Sequence, residues 1–209
     1  MKTFHKIIRL AFTSIAILMS SICVGAQEFN EEKLIQQRAK ERVKLMNDYI
    51  SYMADKSYQE DSRLFFREKA LRLFIGKGYE YEENGVMKQG VMMQTTSVNR
   101  SGVVSHKLLI DYFSALIKLR YSNVNVTSTE IAGMKVSDLK KVESSNNRTL
   151  YMCTCQYVQY FRGEYGDGRV YMDKTTKRIV CYVEADQTED GVEYMLLLGD
   201  VEAISTERV

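Results

Sequence analysis

The hydrophobic pattern of this chain changes its period near Ser122, and that change limits the fold more than any other feature of the sequence. Before Ser122, apolar side chains recur every three or four positions, which is the spacing of one face of an α-helix. After Ser122, apolar and polar side chains alternate, which is the spacing of a strand with one buried face. A chain with its helices first and its strands last is predicted to be an α+β protein, with the helices packed on one sheet.

The first helix is predicted to begin behind a cap at Asn30 and to end near Met53. Charged side chains occupy one of its faces, so the helix is amphipathic. The opposite face is apolar and consists of Ile35, Ala39, Val43, Met46, Ile50 and Met53. A helix of this kind needs a second apolar surface to cover.

Two further helices are predicted before the strand-rich part. The second begins at Ser57 and Glu60, which have the spacing of a capping box, and ends near Ile75, where glycines follow. The third is capped by Ser105, which places His106 in its first turn. Both helices carry an apolar stripe, so all three are expected to lie on the same side of the sheet.

Strands make up most of the remainder. The predicted segments are a hairpin with arms at 90–98 and 103–104, and later strands near 124–127, 139–142, 149–162, 169–172, 178–186 and 192–204. The chain has no proline, so its turns depend on Gly, Asn and Asp. Turns are assigned to Asp167 with Gly168, to residues 173–177, and to Asp190 with Gly191. Around Cys181 the alternation is regular, which predicts an antiparallel sheet with one apolar face.

Residues 1–26 have the pattern of a secretory signal peptide: a basic start, an apolar run from Leu10, and small residues up to Ala26. Cleavage is predicted before Gln27. The mature chain, 27–209, is then one α+β domain that acts outside the cytoplasm, in the periplasm or the extracellular space. A lipoprotein signal centred on Cys23 is disfavoured, because Ile22 stands where a small residue is needed.

Composition excludes several kinds of partner. Loss of residues 1–26 removes three positive charges and no negative ones, which makes a chain of formal net charge +2 slightly acidic. Without a basic patch, a nucleic-acid partner is not expected. After cleavage, no apolar segment has the length of a membrane span, so none is expected.

Three cysteines remain after cleavage: Cys153, Cys155 and Cys181. Cys153 and Cys155 are predicted on the same face of one strand, where a bond between them would be strained. A bond from either residue to Cys181 requires neighbouring strands in matching register. The alternative is that all three are small buried side chains, and the sequence leaves the disulfide state open.

The order of two helices, a hairpin, a third helix and a C-terminal sheet resembles the nuclear transport factor two-like branch of the cystatin-like superfamily. The resemblance implies a curved antiparallel sheet that forms a cone-shaped cavity with its helices, and dimerisation through the open face of the sheet. Many exported bacterial proteins of unknown role resemble this fold.

Inhibitory cystatins carry a Gln-x-Val-x-Gly loop. Here Gln156 and Val158 match, but Tyr160 stands in place of the glycine, so protease inhibition is disfavoured.

Catalytic chemistry has few candidates in this sequence. His106 is the only histidine of the mature chain, and Asp111, five positions later, is turned away from it by roughly 140° on a helix. We therefore interpret His106 as a surface or capping residue. In the alternative, an acidic residue from the sheet orients it as a general base. The cysteines and His106 do not have the spacing of a zinc site, and no metal or other cofactor is expected.

The candidate ligand-binding side chains are aromatic. Tyr151 and Tyr157 are predicted to share a strand face with Phe161, and Tyr160 to point to the opposite side. Tyrosine also suits half-buried strands without any ligand. If a pocket is present, we expect His106, Tyr151, Tyr157 and Phe161 to line it.

The predicted function is a non-catalytic binding module that holds a small ligand or contacts a protein partner. One alternative is a cofactor-free isomerase or hydrolase that uses His106 and a carboxylate of the sheet. Another is a structural subunit that forms a homodimer through the sheet. Binding is favoured because the expected hollow has too few titrating groups for catalysis.

Overall fold

The structure, a computed structural model, describes residues 31–83, 85–97, 103–144, 148–189 and 191–209. A boundary between two compact units falls between Gln37 and Arg38, and the second unit, Arg38–Val209, contains the whole sheet. The signal peptide, its cleavage site and the Asn30 cap lie outside the described residues. The prediction of one domain over 27–209 includes such residues and stays a prediction.

Three α-helices are present in the described residues: α1 at 31–54, α2 at Glu60–Leu71 and α3 at Leu109–Ile117. The end of α2 differs from the prediction, because the chain leaves the helix after Leu71 and makes a short 3-10 turn at Ile75–Gly78. The Ser57–Glu60 capping box is also wrong. The cap position is Gln59, whose side chain makes no capping hydrogen bond, and the Ser57 backbone N–H donates to Asp55 Oδ1 at 2.8 Å.

The start of the third helix is also wrong, and this moves His106. Residues Ser105–Leu108 form a strand, and α3 begins at Leu109. These four residues pair with Met92–Thr95, and the Leu109 backbone N–H donates to the Val91 carbonyl at 2.8 Å. A second strand was available to satisfy the backbone of Ser105–Leu108, so Ser105 does not cap a helix.

The strands, numbered in chain order, are β1 Tyr81–Glu83, β2 Val86–Lys88, β3 Met92–Thr95, β4 Ser105–Leu108, β5 Asn123–Ser128, β6 Lys135–Val136, β7 Lys140–Ser144, β8 Arg148–Glu164, β9 Val170–Thr188 and β10 Gly191–Arg208. β1 and β2 form a separate pair. The large sheet has the order β4-β3-β10-β9-β8-β5, and β6 and β7 also pair with β8.

The sheet is mixed rather than wholly antiparallel. β3 runs parallel to β10, with Met93 opposite Val201. The other pairs along the large sheet, β4 with β3, β10 with β9, β9 with β8 and β8 with β5, are antiparallel. The hairpin of β3 and β4 adds to the edge of the last strand, which the sequence order alone does not reveal. The predicted hairpin is present as this β3–β4 pair, but its second arm is wrong: residues 103–104 are not in a strand, and the arm is Ser105–Leu108. Residues 98–102, which include the predicted turn, lie outside the described residues.

The predicted turn at 173–177 is wrong, because these residues lie within the continuous strand β9. The turn at Asp167 and Gly168 is confirmed; Gly168 has a φ of 83°, which glycine adopts without strain. In the third predicted turn, Asp190 lies outside the described residues. β8 and β9 pair from Arg148 opposite Asp186 to Glu164 opposite Val170.

The core lies between the helices and one face of this sheet. The predicted apolar face of α1 is buried from Ala39 to Met53, together with Phe113 of α3 and Ile179 of β9. Burial of these side chains supplies most of the driving force for folding. The α+β class and the packing of helices on the sheet are therefore confirmed.

The three cysteines belong to this core, and none of the three forms a disulfide bond. Cys153 on β8 lies directly opposite Cys181 on β9, so the two strands are neighbours in matching register. Burial raises the pKa of the Cys155 thiol to about 12. A hydrogen bond with Cys153, together with burial, raises the pKa of Cys181. The thiols of Cys155 and Cys181 therefore stay protonated, which makes them poor nucleophiles.

Candidate functional site

One face of β9 changes from polar to apolar along the strand. Asp173, Thr175 and Lys177 occupy alternate positions and are at most 9 % exposed. Because strand side chains alternate between the two faces, these residues share the face that continues with the buried Ile179 and Cys181. The polar half of this face forms the floor of a cavity of about 260 Å³.

The cavity is bounded by α3, by the segment that follows it, and by β3, β4, β8 and β9. Its lining consists of Thr95, Thr96, Ser97, Lys107, Tyr112, Ala115, Leu116, Leu119, Tyr121, Gln159, Phe161, Tyr171, Asp173, Thr175 and Lys177. Aromatic and aliphatic carbon makes up most of this surface, and the charged groups are concentrated on the strand side. Such a division is typical of sites for small molecules with one polar end.

The register of β8 and β9 places the lining residues beside one another. Phe161 lies opposite Asp173, and Gln159 lies opposite Thr175. Tyr157 lies opposite Lys177 and is 1 % exposed. The two strands therefore present one continuous inner surface, with Tyr157 at the point where the cavity meets the core.

Lys177 is 3 % exposed and has weak partners. Its Nζ lies 3.9 Å from Met93 Sδ and 5.6 Å from the centre of the Tyr112 ring. A thioether is a weak acceptor, and the ring attracts the ammonium group without accepting a conventional hydrogen bond. Burial lowers the pKa of Lys177 to about 8, although nearby Asp173 opposes the change. An ammonium group with three N–H donors is thus held in the cavity wall without a strong acceptor among these contacts.

Asp173 is held by a short chain of hydroxyl groups. The Tyr171 hydroxyl donates to Asp173 Oδ2 at 2.7 Å, and the Ser97 and Tyr171 hydroxyl oxygens are 2.9 Å apart. Since Tyr171 has one hydroxyl proton, Ser97 is the donor in the second bond. Burial raises the pKa of Asp173, while the Tyr171 hydrogen bond and the charge of Lys177 oppose this.

The opposite wall is aromatic. Tyr121 packs against Phe161, with ring centres 5.5 Å apart, and against Tyr165, with ring centres 4.6 Å apart. Burial raises the pKa of Tyr112 to about 12 and also raises that of Tyr121. Both phenols are therefore neutral at physiological pH, and they offer flat carbon surfaces with polar tips.

A buried amide pair joins α1 to this site. Gln159 Nε2 donates to Asn47 Oδ1 at 2.9 Å, and Asn47 Nδ2 donates to the Val43 carbonyl at 2.9 Å. Both side chains are at most 7 % exposed. The pair fixes the orientation of Gln159, because leaving a buried amide without partners costs free energy.

The structure places the four predicted ligand-binding residues differently. Phe161 lines the cavity, and Tyr157 is buried in the adjoining core. Tyr151 lies opposite Val183, far along β8 from the cavity. His106 is exposed on β4, and the neighbouring Lys107 is the residue that lines the cavity. His106 therefore points to the other side of the strand.

The expectation of a cavity poor in titrating groups is wrong. The lining contains Lys177, Asp173 and the three tyrosines at 112, 121 and 171. The segment 173–177 looks like a polar turn when it is considered alone. Its alternate residues, however, are in phase with the buried Ile179, Cys181 and Val183. When that alternation is extended towards the N-terminus, it assigns Asp173 and Lys177 to the inner face of the strand. This was the signal in the sequence that could have identified them.

A second hollow of about 310 Å³ lies on the outer face of the sheet. It contains the outward-pointing Tyr182, whose hydroxyl donates to Glu83 Oε1, together with Leu150 and Met195. Tyr160 is also exposed on this side, so its predicted outward direction is confirmed.

Metal ligands are not grouped in the described part of the chain: no set of three or more His, Cys, Asp or Glu side chains is placed to hold an ion. Within the same residues, no helix is long and apolar enough to cross a membrane.

Comparison with known proteins gives two distant structural likenesses. No family model matches the chain, and no curated protein matches it. A crystal structure of a "Putative Scytalone Dehydratase" from Novosphingobium aromaticivorans is similar over 86 % of this chain and 91 % of that chain, with 14 % identity and a TM-score of 0.35. A protein from Kribbella flavida is similar over 79 % of this chain and 92 % of that chain, with 16 % identity and a TM-score of 0.35. At these TM-scores, neither likeness supports a statement about the ligand or reaction of this chain.

Proposed function

We propose that the protein is a non-catalytic binding module that holds a compact, oxygen-bearing small molecule in the cavity between α3, β8 and β9. The observation that carries this proposal is the buried ammonium group of Lys177, whose contacts are a thioether and an aromatic ring. A buried charge is stabilised when it gains a strong hydrogen-bond partner. A ligand oxygen would be that partner.

The size and surface of the cavity narrow the class of ligand. A volume of about 260 Å³ lies just below the usual range for ligand sites, which begins at about 300 Å³. It suits a molecule with one ring. Phe161, Leu116 and Tyr112 offer an apolar surface for the body of such a molecule. Lys107 adds a second positive charge at the wall, so a carboxylate, a phenolate or a polarised carbonyl oxygen is favoured over a cation.

The alternative functions have weaker support. The enzyme alternative depended on His106 beside an acidic residue, and His106 is exposed on the face of β4 opposite to the cavity-lining Lys107. A purely structural subunit has no need of a cavity, whereas the cavity present here favours a ligand. Contact with a protein partner and a homodimer through the sheet stay proposals. So do the nuclear transport factor two-like assignment, the curvature of its sheet and the export of the mature chain.

Three one-ring probes test the charge preference: benzoate, benzyl alcohol and benzylamine. We expect benzoate to bind best, as measured by calorimetric titration and by saturation-transfer NMR. In Lys177→Met the benzoate Kd should rise by roughly tenfold or more, because a hydrogen bond to a charged group contributes about 1.5–3 kcal/mol. Lys174→Met is the matched control. Lys174 is on the same strand, but its side chain faces outward, and its Nζ lies 3.4 Å from Glu207 Oε2. An unchanged benzoate Kd in Lys177→Met, or a preference for benzylamine, would refute the proposal.

A further inference from the structure

The amine of Lys177 is placed for covalent chemistry as well as for charge pairing. In the described part of the chain it is the only buried lysine, and none of the ion pairs found there includes it. It borders the cavity beside the ring of Tyr112. A nitrogen that is screened from water yet open to a ligand space is the arrangement in which lysine forms imines with carbonyl compounds.

We propose that Lys177 captures small aldehydes or ketones in this cavity as a reversible imine. The proposal rests on the proposed function, since it concerns the same cavity and names the ligand class more narrowly. Carbonyl compounds with a single aromatic or aliphatic ring match the volume and the apolar wall. The module would then hold its ligand through a C–N bond as well as through contacts.

The step balances without an oxidant or a reductant. The neutral amine attacks the carbonyl carbon, so a C–N bond forms while the C=O π bond breaks and the oxygen takes up a proton. The carbinolamine then expels this oxygen as water. Overall, a protonated amine and a carbonyl group give an iminium ion and one water molecule, with charge conserved. Asp173 and Tyr171, on the same strand face, are the groups that can exchange protons with the departing oxygen.

The surroundings of Lys177 favour the neutral amine. The groups that face it are Met93 of β3, Tyr112 of α3, Tyr157 of β8 and Asp173 of β9. Of these, only Asp173 stabilises the ammonium form by its charge. With a pKa of about 8, roughly one amine in ten is neutral at about pH 7. For an ordinary lysine the fraction is about one in three thousand. The reactive form of Lys177 is therefore a few hundred times more abundant.

Reductive trapping of the full chain with benzaldehyde and sodium cyanoborohydride tests the proposal. At about neutral pH we expect one lysine-bound benzyl group per molecule, found on Lys177 by peptide mapping, with labelling of other lysines at least roughly tenfold slower. Lys177→Met should lose this label, and Lys174→Met should keep it. The rate of trapping on Lys177 should also level off above about pH 8, whereas the rate on exposed lysines continues to rise towards about pH 10.

Benzoate separates this inference from the proposed function, because it can occupy the cavity but cannot form an imine. If benzoate binds and slows the labelling of Lys177, both proposals are supported. If benzoate binds but benzaldehyde labels no lysine, or labels surface lysines evenly, covalent capture is wrong and the binding function stands. If Lys177 is labelled while benzoate fails to bind, capture is supported and the charge preference is wrong. If neither molecule interacts, both proposals are overturned.

Discussion

At the scale of single residues, the burial of Lys177 carries an electrostatic cost. Its ammonium group is 3 % exposed, and its lowered pKa means that the folded state disfavours the charged form. The difference between about 8 when folded and 10.5 when unfolded corresponds to about 3 kcal/mol. This cost is present below about pH 8 and is relieved as the pH rises towards about 10, because the unfolded chain then binds the extra proton.

We therefore predict that Lys177→Met is more stable than the wild type at about pH 7, by roughly 1–3 kcal/mol in the free energy of unfolding. Between about pH 8 and pH 10 the wild-type protein should gain stability and the difference should shrink. Urea unfolding at a series of pH values measures both effects. Lys174→Met should follow the wild-type profile, and parallel profiles for Lys177→Met and the wild type would contradict the burial argument.

The sequence identified some of the residues that line the cavity and misplaced others. Phe161 was found because aromatic side chains on one strand face share a surface, and the strand formed as expected. His106 and Tyr151 were misplaced for different reasons. The predicted position of His106 depended on a helix that was expected to start at Ser105, but Ser105–Leu108 is a strand. Tyr151 lies on the correct face but beyond the end of the cavity, and position along a strand is not encoded in alternation.

At the scale of elements, the far end of β8 supports the aromatic wall. Gly163 lies beneath the Tyr121 ring: a Cβ added at this glycine would lie 2.6 Å from Tyr121 Cδ1. Tyr121 is itself held between Phe161 and Tyr165, so it has little freedom to move. The absence of a side chain at position 163 thus lets the segment after α3 pack closely on the strand.

We predict that Gly163→Ala lowers the free energy of unfolding by about 1–3 kcal/mol and weakens benzoate binding, because the Tyr121 ring is pushed out of place. Gly166→Ala is the control, since a Cβ there meets no atom within 4 Å. Thermal unfolding and calorimetric titration of both variants measure the two effects. Equal stability of the two variants would show that Tyr121 adjusts without cost.

Strand pairing explains which elements were mispredicted. Both β4 and the segment 173–177 have polar sequences that are typical of a cap or a turn when taken locally. Each becomes a strand because a partner satisfies its backbone N–H and C=O groups: β3 in the first case, β8 and β10 in the second. The polar side chains of 173–177 that face inward are tolerated because they border a cavity rather than a filled core.

At the scale of the whole molecule, the N-terminal pattern concerns where the chain acts. We predict that a bacterial host exports the protein and that the mature chain begins at Gln27, since Val24 and Ala26 are small residues at the positions that signal peptidase reads. Mass spectrometry of the N-terminal peptide, taken from the fraction outside the cytoplasm, identifies this end.

Ala26→Arg should block the cleavage and leave the signal attached, whereas Gln27→Asn should leave processing intact. Full-length protein confined to the cytoplasm would contradict the export prediction. A chain that begins at a lipid-modified Cys23 would instead support the lipoprotein alternative.

The sequence by itself determined the class of the fold. The change of hydrophobic period near Ser122 and the apolar faces of the helices require helices that cover one side of a sheet, since apolar surface must be buried. Only the tertiary structure decided where the ligand site lies. Alternation along β9 places Asp173 and Lys177 on the inner face, but bringing Phe161 beside them requires the register of β8 against β9. The cavity also needs α3 to end where Tyr121 can pack on Gly163. These are contacts between residues distant in sequence, and local periodicity carries no information about them.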